Sequence, residues 1–183
     1  MAARRALDEC INLRRDSNDR PSLANSLNTS AQVCVAEGRV DEAKRQLEEC
    51  MAISREERLD GILSDALTGM ALVHQQEGDL ARANATIQES IAAAEAARDP
   101  TKIVTARLVA AGFAETGGRP EDAVRHLIAA AGLSHVVEPT LAEAAIVKLV
   151  LAERKLPKAG VARLYKEHGD KRRQAKSKRR PGR

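Results

Sequence analysis

Aromatic side chains are nearly missing from this 183-residue sequence, which holds one Phe, one Tyr and no Trp. A core must then be packed from small and aliphatic side chains. That favours closely approaching helices, because Ala has the highest helix propensity and takes little room. β-branched runs bounded by turn residues are scarce as well, which excludes an extensive sheet. Cysteine is sparse and odd in number: Cys10, Cys34 and Cys50 show no CxxC spacing. This argues against a disulfide framework and fits a reducing compartment. Long apolar runs are absent too. The most apolar segment, Leu141 to Ala152, carries Glu143 and Lys148 and falls short of the ~18 apolar residues a membrane span needs. The opening MAARRALDE lacks the apolar run of a signal peptide. A cytoplasmic location is expected.

The length suits one domain or one short repeat array, and 43 % hydrophobic residues supply enough apolar material for a core. The formal charge of +4 is unevenly spread. Lys171, Arg172, Arg173, Lys176, Lys178, Arg179, Arg180 and Arg183 are eight cations in the last thirteen residues, with no acid among them. Taking those eight from +4 leaves the first 170 residues at −4. The body is mildly acidic and the end strongly basic.

An internal repeat runs through the body. Gly38, Gly78 and Gly118 are spaced by 40 residues, as are Ala43, Ala83 and Ala123, and Ala31, Ala71 and Ala111. Four apolar columns keep the same register: Leu23, Leu63, Ile103; Val33, Val73, Phe113; Leu47, Ile87, Leu127; and Met51, Ile91, Ala131. Seven columns in one register exceed coincidence. Each unit reads as two helices. In the middle unit Leu63, Leu67, Met70, Ala71 and His74 form one face at three- and four-residue steps. Gly78 suits a left-handed helix end, Asp79 offers a cap, and Leu80, Ala83, Ile87 and Ile91 stripe the second helix. Asp41 and Glu121 place acid near helix starts, and Pro120 falls where a first turn tolerates it.

The repeat extends backwards, since residues 1–16 match 41–56, with Leu7 on Leu47 and Cys10 on Cys50. The chain thus opens on the second helix of a unit. Leu7, Cys10 and Ile11 are expected on an apolar face that an upstream segment or a second copy of the chain must cover, a side chain of that kind being worth roughly 1.5–3 kcal/mol when buried. Forwards the markers lose register, and Leu141–Glu153 with Ala159–Glu167 are expected as one atypical terminal pair. The expected division is 1–20 a half repeat, 21–60, 61–100 and 101–137 full repeats, 138–169 a capping helix pair, and 170–183 a basic disordered tail.

The run Leu27, Ser30, Ala31, Cys34, Gly38, Val40, Ala43, Leu47, Cys50 resembles the tetratricopeptide repeat (TPR) signature. Leu67, Met70, Ala71, His74, Gly78, Leu80, Ala83, Ile87, Ser90 follow it, as do Arg107, Ala110, Ala111, Ala114, Gly118, Pro120, Ala123, Leu127, Ala130. The Gly…Ala spacing sets these apart from HEAT and armadillo repeats of similar length. The 40-residue unit is similar to repeats in bacterial LuxR- and AfsR-type regulators and signalling ATPases, which read like ALNNLGNVALEQGDLEEA; here 26–43 reads SLNTSAQVCVAEGRVDEA. The resemblance covers about residues 1–135. It implies an all-α, right-handed superhelical solenoid of antiparallel helix pairs whose first helices line a concave groove for peptides or helices. Carried over position by position, Asn25, Asn28, Gln32, Asp65, Thr68, Gln75, Thr105 and Leu108 would face that groove, unless they are merely solvated. No lysine stands where some relatives grip a C-terminal carboxylate.

Signals of chemistry are weak. Gly117-Gly118 lacks the Lys-Ser/Thr and the preceding strand of a phosphate loop. His74, His126, His135 and His168 neither pair at i, i+4 nor join the cysteines in metal-ligand spacing. Cys10 and Cys50 stand where the signature prefers Ala and read as small hydrophobes. No catalytic residue, metal or cofactor is expected. Three functional readings remain at this point: a non-catalytic scaffold binding a protein or peptide; the sensor segment of a larger transcriptional regulator or signalling ATPase; and nucleic-acid contact through the basic end, where each phosphate neutralised adds a salt-dependent increment. That end has no aromatic for base stacking, and a disordered, solubilising extension is the favoured account of it.

Overall fold

The computed structural model describes residues 2–178, with side chains from Ala6 to Lys171 and at Arg173. Every regular element among them is helical: α1 (Ala2–Asp16), α2 (Arg20–Ala36), α3 (Val40–Glu56), α4 (Asp60–Gln76), α5 (Leu80–Ala97), α6 (Pro100–Thr116), α7 (Pro120–Ala131), a 3-10 turn (Ser134–Val136), α8 (Pro139–Glu153) and α9 (Lys158–Lys178). They divide into two compact units, 1–106 and 107–183, the boundary falling within α6.

One turn design separates the first seven helices. Gly38, Gly78 and Gly118 have φ of +76°, +80° and +68°, as expected of glycine at a helix C-terminus. Asn18, Arg58 and Arg98 adopt φ of +55°, +57° and +55° halfway between them. The next amide in each case bonds back to the carbonyl five residues earlier: Asp19 to Arg14, Arg39 to Cys34, Leu59 to Ser54, Asp79 to His74, Asp99 to Ala94 and Arg119 to Ala114, at 2.8 to 3.2 Å. These are Schellman closures. The sequence shows a 40-residue period because glycine marks alternate turns; the backbone repeats every 20. Caps vary more. Asp19 and Asp79 accept from the amides of Ser22 and Arg82, whereas Arg39, Leu59 and Arg119 at the equivalent position form no side-chain cap bond.

In unit 1, α2 packs on α1, α3 and α4, and α4 also packs on α3 and α5. Leu23, Leu27, Ala31 and Cys34 of α2, Leu47, Cys50 and Met51 of α3, and Leu67, Met70 and Val73 of α4 join one core. The repeated alanines lie at crossings with almost no exposure. Gly69 goes further: a Cβ there would stand 3.1 Å from Cδ2 of Leu47, so α3 and α4 approach where no side chain intervenes. The apolar face of α1, expected to need an upstream segment or a second copy as cover, is partly covered within unit 1. Ile11 is buried in the unit 1 core, Leu7 and Cys10 are half-buried, and only Leu13, at 68 % exposure, stays open among its large apolar side chains. The turn at Asn18 folds α2 back over that face.

Unit 2 leaves the register. α7 has 12 residues against 17 and 18 in α3 and α5, ending before Gly132, the 3-10 turn and Pro139. Lys158 and Arg163 stand where the glycine and alanine columns would continue. Its core joins Ala111 and Ala114 of α6, Val124, Leu127 and Ile128 of α7, Leu149 and Ala152 of α8, and Leu164 of α9.

Candidate functional site

The sequence-predicted groove residues separate by burial. On α2, Asn25 and Gln32 are exposed, and Thr29, one turn beyond Asn25, is exposed with them. Sequence reasoning passed over Thr29, although its four-residue spacing from Asn25 was a signal. Thr105 is exposed near the start of α6, with its hydroxyl donating to the Thr101 carbonyl at 2.9 Å. Asp65 is half-buried and ion-paired to Lys102 at 2.5 Å, which ties α4 to α6 within unit 1. Lys102 was not anticipated, because its partner lies 37 residues away in sequence. Gln75 is half-buried.

Three predicted residues take part in packing instead. Asn28 is 5 % exposed and its Oδ1 has no hydrogen-bond partner. Thr68 is half-buried, with its hydroxyl 2.7 Å from Ser90 Oγ on α5. Leu108, in unit 2, packs against that unit's core. The polar candidates left at least partly accessible in unit 1 are Asn25, Thr29 and Gln32 on α2, the Asp65–Lys102 pair, Gln75 on α4, and Thr105.

A polar contact repeats between the helices of successive pairs. Cys50 Sγ donates to the Ala24 carbonyl at 3.1 Å, and Ser90 Oγ, forty residues on, donates to the Ser64 carbonyl at 2.9 Å. Each joins the second helix of a pair to the first. Burial pushes the Cys50 thiol up to about 11 and also raises Cys34, which disfavours thiolate chemistry at both. All three cysteines are free thiols.

Two further titratable groups are shifted by their surroundings. Glu77 takes Lys44 at 2.7 Å and His74 at 3.4 Å, and the Lys44 hydrogen bond holds its carboxyl below the ordinary value. Burial, with Arg107 nearby, pushes the His126 imidazole down to about 4, and its Nδ1 is buried without a hydrogen-bond partner. Among the described residues no group of three or more His, Cys, Asp or Glu gathers to hold a metal ion, and no helix is long and apolar enough to cross a membrane.

Helix α9 continues to Lys178, so the basic segment begins as helix where a disordered tail was expected; Arg173 reaches Asp170 at 2.5 Å one turn earlier. Lys171 is exposed. Arg179, Arg180 and Arg183 lie outside the described residues, as do the side chains of Arg172, Lys176 and Lys178.

No protein-family model and no curated protein matches the chain. Solved structures do. A Podosopora anserina protein assigned as a kinesin light chain with nearly identical TPR-like repeats superposes with a TM-score of 0.65 at 17 % identity, over 98 % of this chain and 89 % of that one. A single-substitution variant of the same protein gives 0.66 at 17 % identity, over 98 % and 88 %. BtubC (BKLC) from P. vanneervenii gives 0.66 at 13 % identity, over 97 % and 82 %. At these identities the likeness concerns the fold: the chain has an all-α, TPR-like helical-repeat fold.

Proposed function

We propose that the chain is a non-catalytic protein-interaction scaffold that takes a peptide or helix along the first helices of unit 1. The observation that carries this reading is the row at positions 25, 65 and 105. The same register position presents Asn25 on α2, Asp65 on α4 and Thr105 on α6, half-buried or exposed in each case, with Thr29, Gln32 and Gln75 beside it. A partner crossing these helices meets a polar contact on each, and the charge of Asp65 is already balanced by Lys102. In this reading the repeats are 21–60, 61–100 and 101–137, with the half repeat 1–20 before them and a capping pair over 138–169 after. Free thiols support a cytoplasmic setting. Affinity capture with the intact chain, set against the triple variant Asn25→Arg, Gln32→Arg, Thr105→Arg, tests the groove. All three sites are exposed, so the variant keeps its helical content and loses the captured partner. Equal recovery of the same partner by both proteins overturns the groove reading.

A second reading makes the chain the sensor segment of a larger regulator. It draws on the likeness of residues 26–43 to repeats of LuxR- and AfsR-type regulators and on the exposed Leu13 of α1. An upstream nucleotide-binding domain in the same reading frame supports it, and a stop codon directly upstream removes it. Nucleic-acid contact by the basic end is tested by deleting 171–183, which abolishes binding at low salt if those cations carry it.

A further inference from the structure

Helix α8 is the most apolar of the chain's helices, yet it buries only a narrow face. Ala145, Leu149 and Ala152 pack into unit 2. On the opposite face Ile146, Val147, Val150 and Leu151 are 46 %, 48 %, 45 % and 52 % exposed. Four aliphatic side chains left half in water within two helical turns need an explanation, since scattered exposed apolar residues are ordinary and a contiguous stripe is not.

The stripe has a property that selects its occupant. It reads the same from both ends. Ile146 and Val147 balance Leu151 and Val150 about the midpoint between Lys148 and Leu149, and three residues beyond each end stand Glu143 and Arg154. At about 100° per residue, these six positions share one face, with Lys148 on its flank. Both end residues are exposed, and Arg154 keeps helical backbone angles as the α8 C-cap, so the stripe is continuous in direction. It spans roughly 16 Å at ~1.5 Å per residue.

We propose that this face binds a second copy of the chain, α8 against α8, antiparallel about a two-fold axis. A two-fold interface must be self-complementary, residue i meeting j and j meeting i. Antiparallel pairing sets Ile146 against Leu151, Val147 against Val150, and Glu143 against Arg154 of the partner subunit at both ends. Parallel pairing would set glutamate against glutamate and arginine against arginine. The Arg154 end borders a depression between α8 and α9 lined also by Val150, Leu156 and Lys158, so the end that receives the partner's glutamate holds two cations. Glu153, in the same depression, is occupied by the Tyr165 hydroxyl at 2.7 Å. The contact rests on no groove residue and is independent of the scaffold reading. A single helix face is smaller than a standard stable interface, so the dimer is weak, with a dissociation constant on the order of 10–100 μM.

Sedimentation equilibrium of the intact chain over a concentration series tests this. Monomer and dimer in exchange are expected. Val147→Glu abolishes the dimer. Glu143→Arg alone, or Arg154→Glu alone, weakens it about tenfold or more. Two complementation results are specific to the antiparallel geometry: the double exchange Glu143→Arg with Arg154→Glu restores dimerisation, and mixing the two single variants yields a heterodimer. Thermal melting of each variant checks that unit 2 remains folded. A chain that is monomeric at several hundred micromolar, a dimer that survives Val147→Glu, or a failure of both complementations overturns the proposal.

Discussion

Position 50 shows how a single side chain serves this fold. The thiol of Cys50 and the hydroxyl of Ser90 occupy equivalent places, and each donates to a carbonyl on the preceding helix that would otherwise keep only its intrahelical bond. Ser90 also lies 3.2 Å from Ser64 Oγ and 2.7 Å from Thr68 Oγ1, so it is the centre of a small buried network. Cys50→Ser is expected to leave stability nearly unchanged, because the neighbouring repeat already uses serine there. Ser90→Ala is expected to cost about 1–2 kcal/mol, since it removes a buried hydrogen bond and strips partners from two other hydroxyls. Urea denaturation of the two variants checks the pair. At this scale the sequence was only partly legible. That Cys50 is small and buried could be read from its column. That it bonds to Ala24 could not, because the acceptor is a backbone atom 26 residues earlier and carries no sequence mark.

At the scale of the element, the turns set the design. A left-handed residue every 20 positions reverses the chain, and glycine fills only alternate ones. Glycine is free there, whereas arginine carries a Cβ against the following carbonyl at a cost of roughly 1–2 kcal/mol. Arg58→Gly is therefore expected to raise stability by about 1 kcal/mol, and Gly78→Ala, which brings a Cβ into the same conformation at φ +80°, to lower it by a similar amount. Opposite shifts in the thermal midpoint are the expected result, and equal shifts in one direction would contradict the turn argument. Helix positions from 2 to 131 could be read closely from glycine, proline and the apolar columns. The turns at Asn18, Arg58 and Arg98 were less visible, since arginine does not announce a left-handed conformation. The continuation of α9 to Lys178 was hidden for a similar reason: a run of cations in sequence reads as solvated chain, and its charge alone does not tell helix from coil.

At the scale of the molecule, the two units rest on differently built cores. Unit 1 repeats one pattern; unit 2 encloses a histidine. His126 stays neutral because its imidazole is buried and Arg107 stands near, with Arg119 also opposing its protonation and Asp122 favouring it. Its pKa near 4 in the folded chain lies below the ordinary unfolded value of about 6.5. Between those values the unfolded chain binds the proton and the folded one does not, so stability falls as pH drops from about 6.5 towards 4, and the loss from this group is complete below the folded value. The thermal midpoint is expected to drop by a few degrees more in the wild-type chain than in His126→Gln between pH 7 and pH 4.5, as read by calorimetry. Equal slopes for the two proteins would show that another group governs the acid limb.

What the sequence determined by itself is the repeat: helix pairs of 40 residues, small residues at the crossings, and glycine where the chain turns. These are local demands, because a left-handed turn, a helix start and a narrow crossing each restrict the residue at one position. Which polar side chains remain available was decided by tertiary structure. Asn25 and Asn28 stand three residues apart on one helix, and one is exposed while the other is buried, since burial depends on where neighbouring helices pass. The same holds for α8: its apolar residues are plain in the sequence, but only the packing of unit 2 covers Ala145, Leu149 and Ala152 and leaves Ile146, Val147, Val150 and Leu151 half in water.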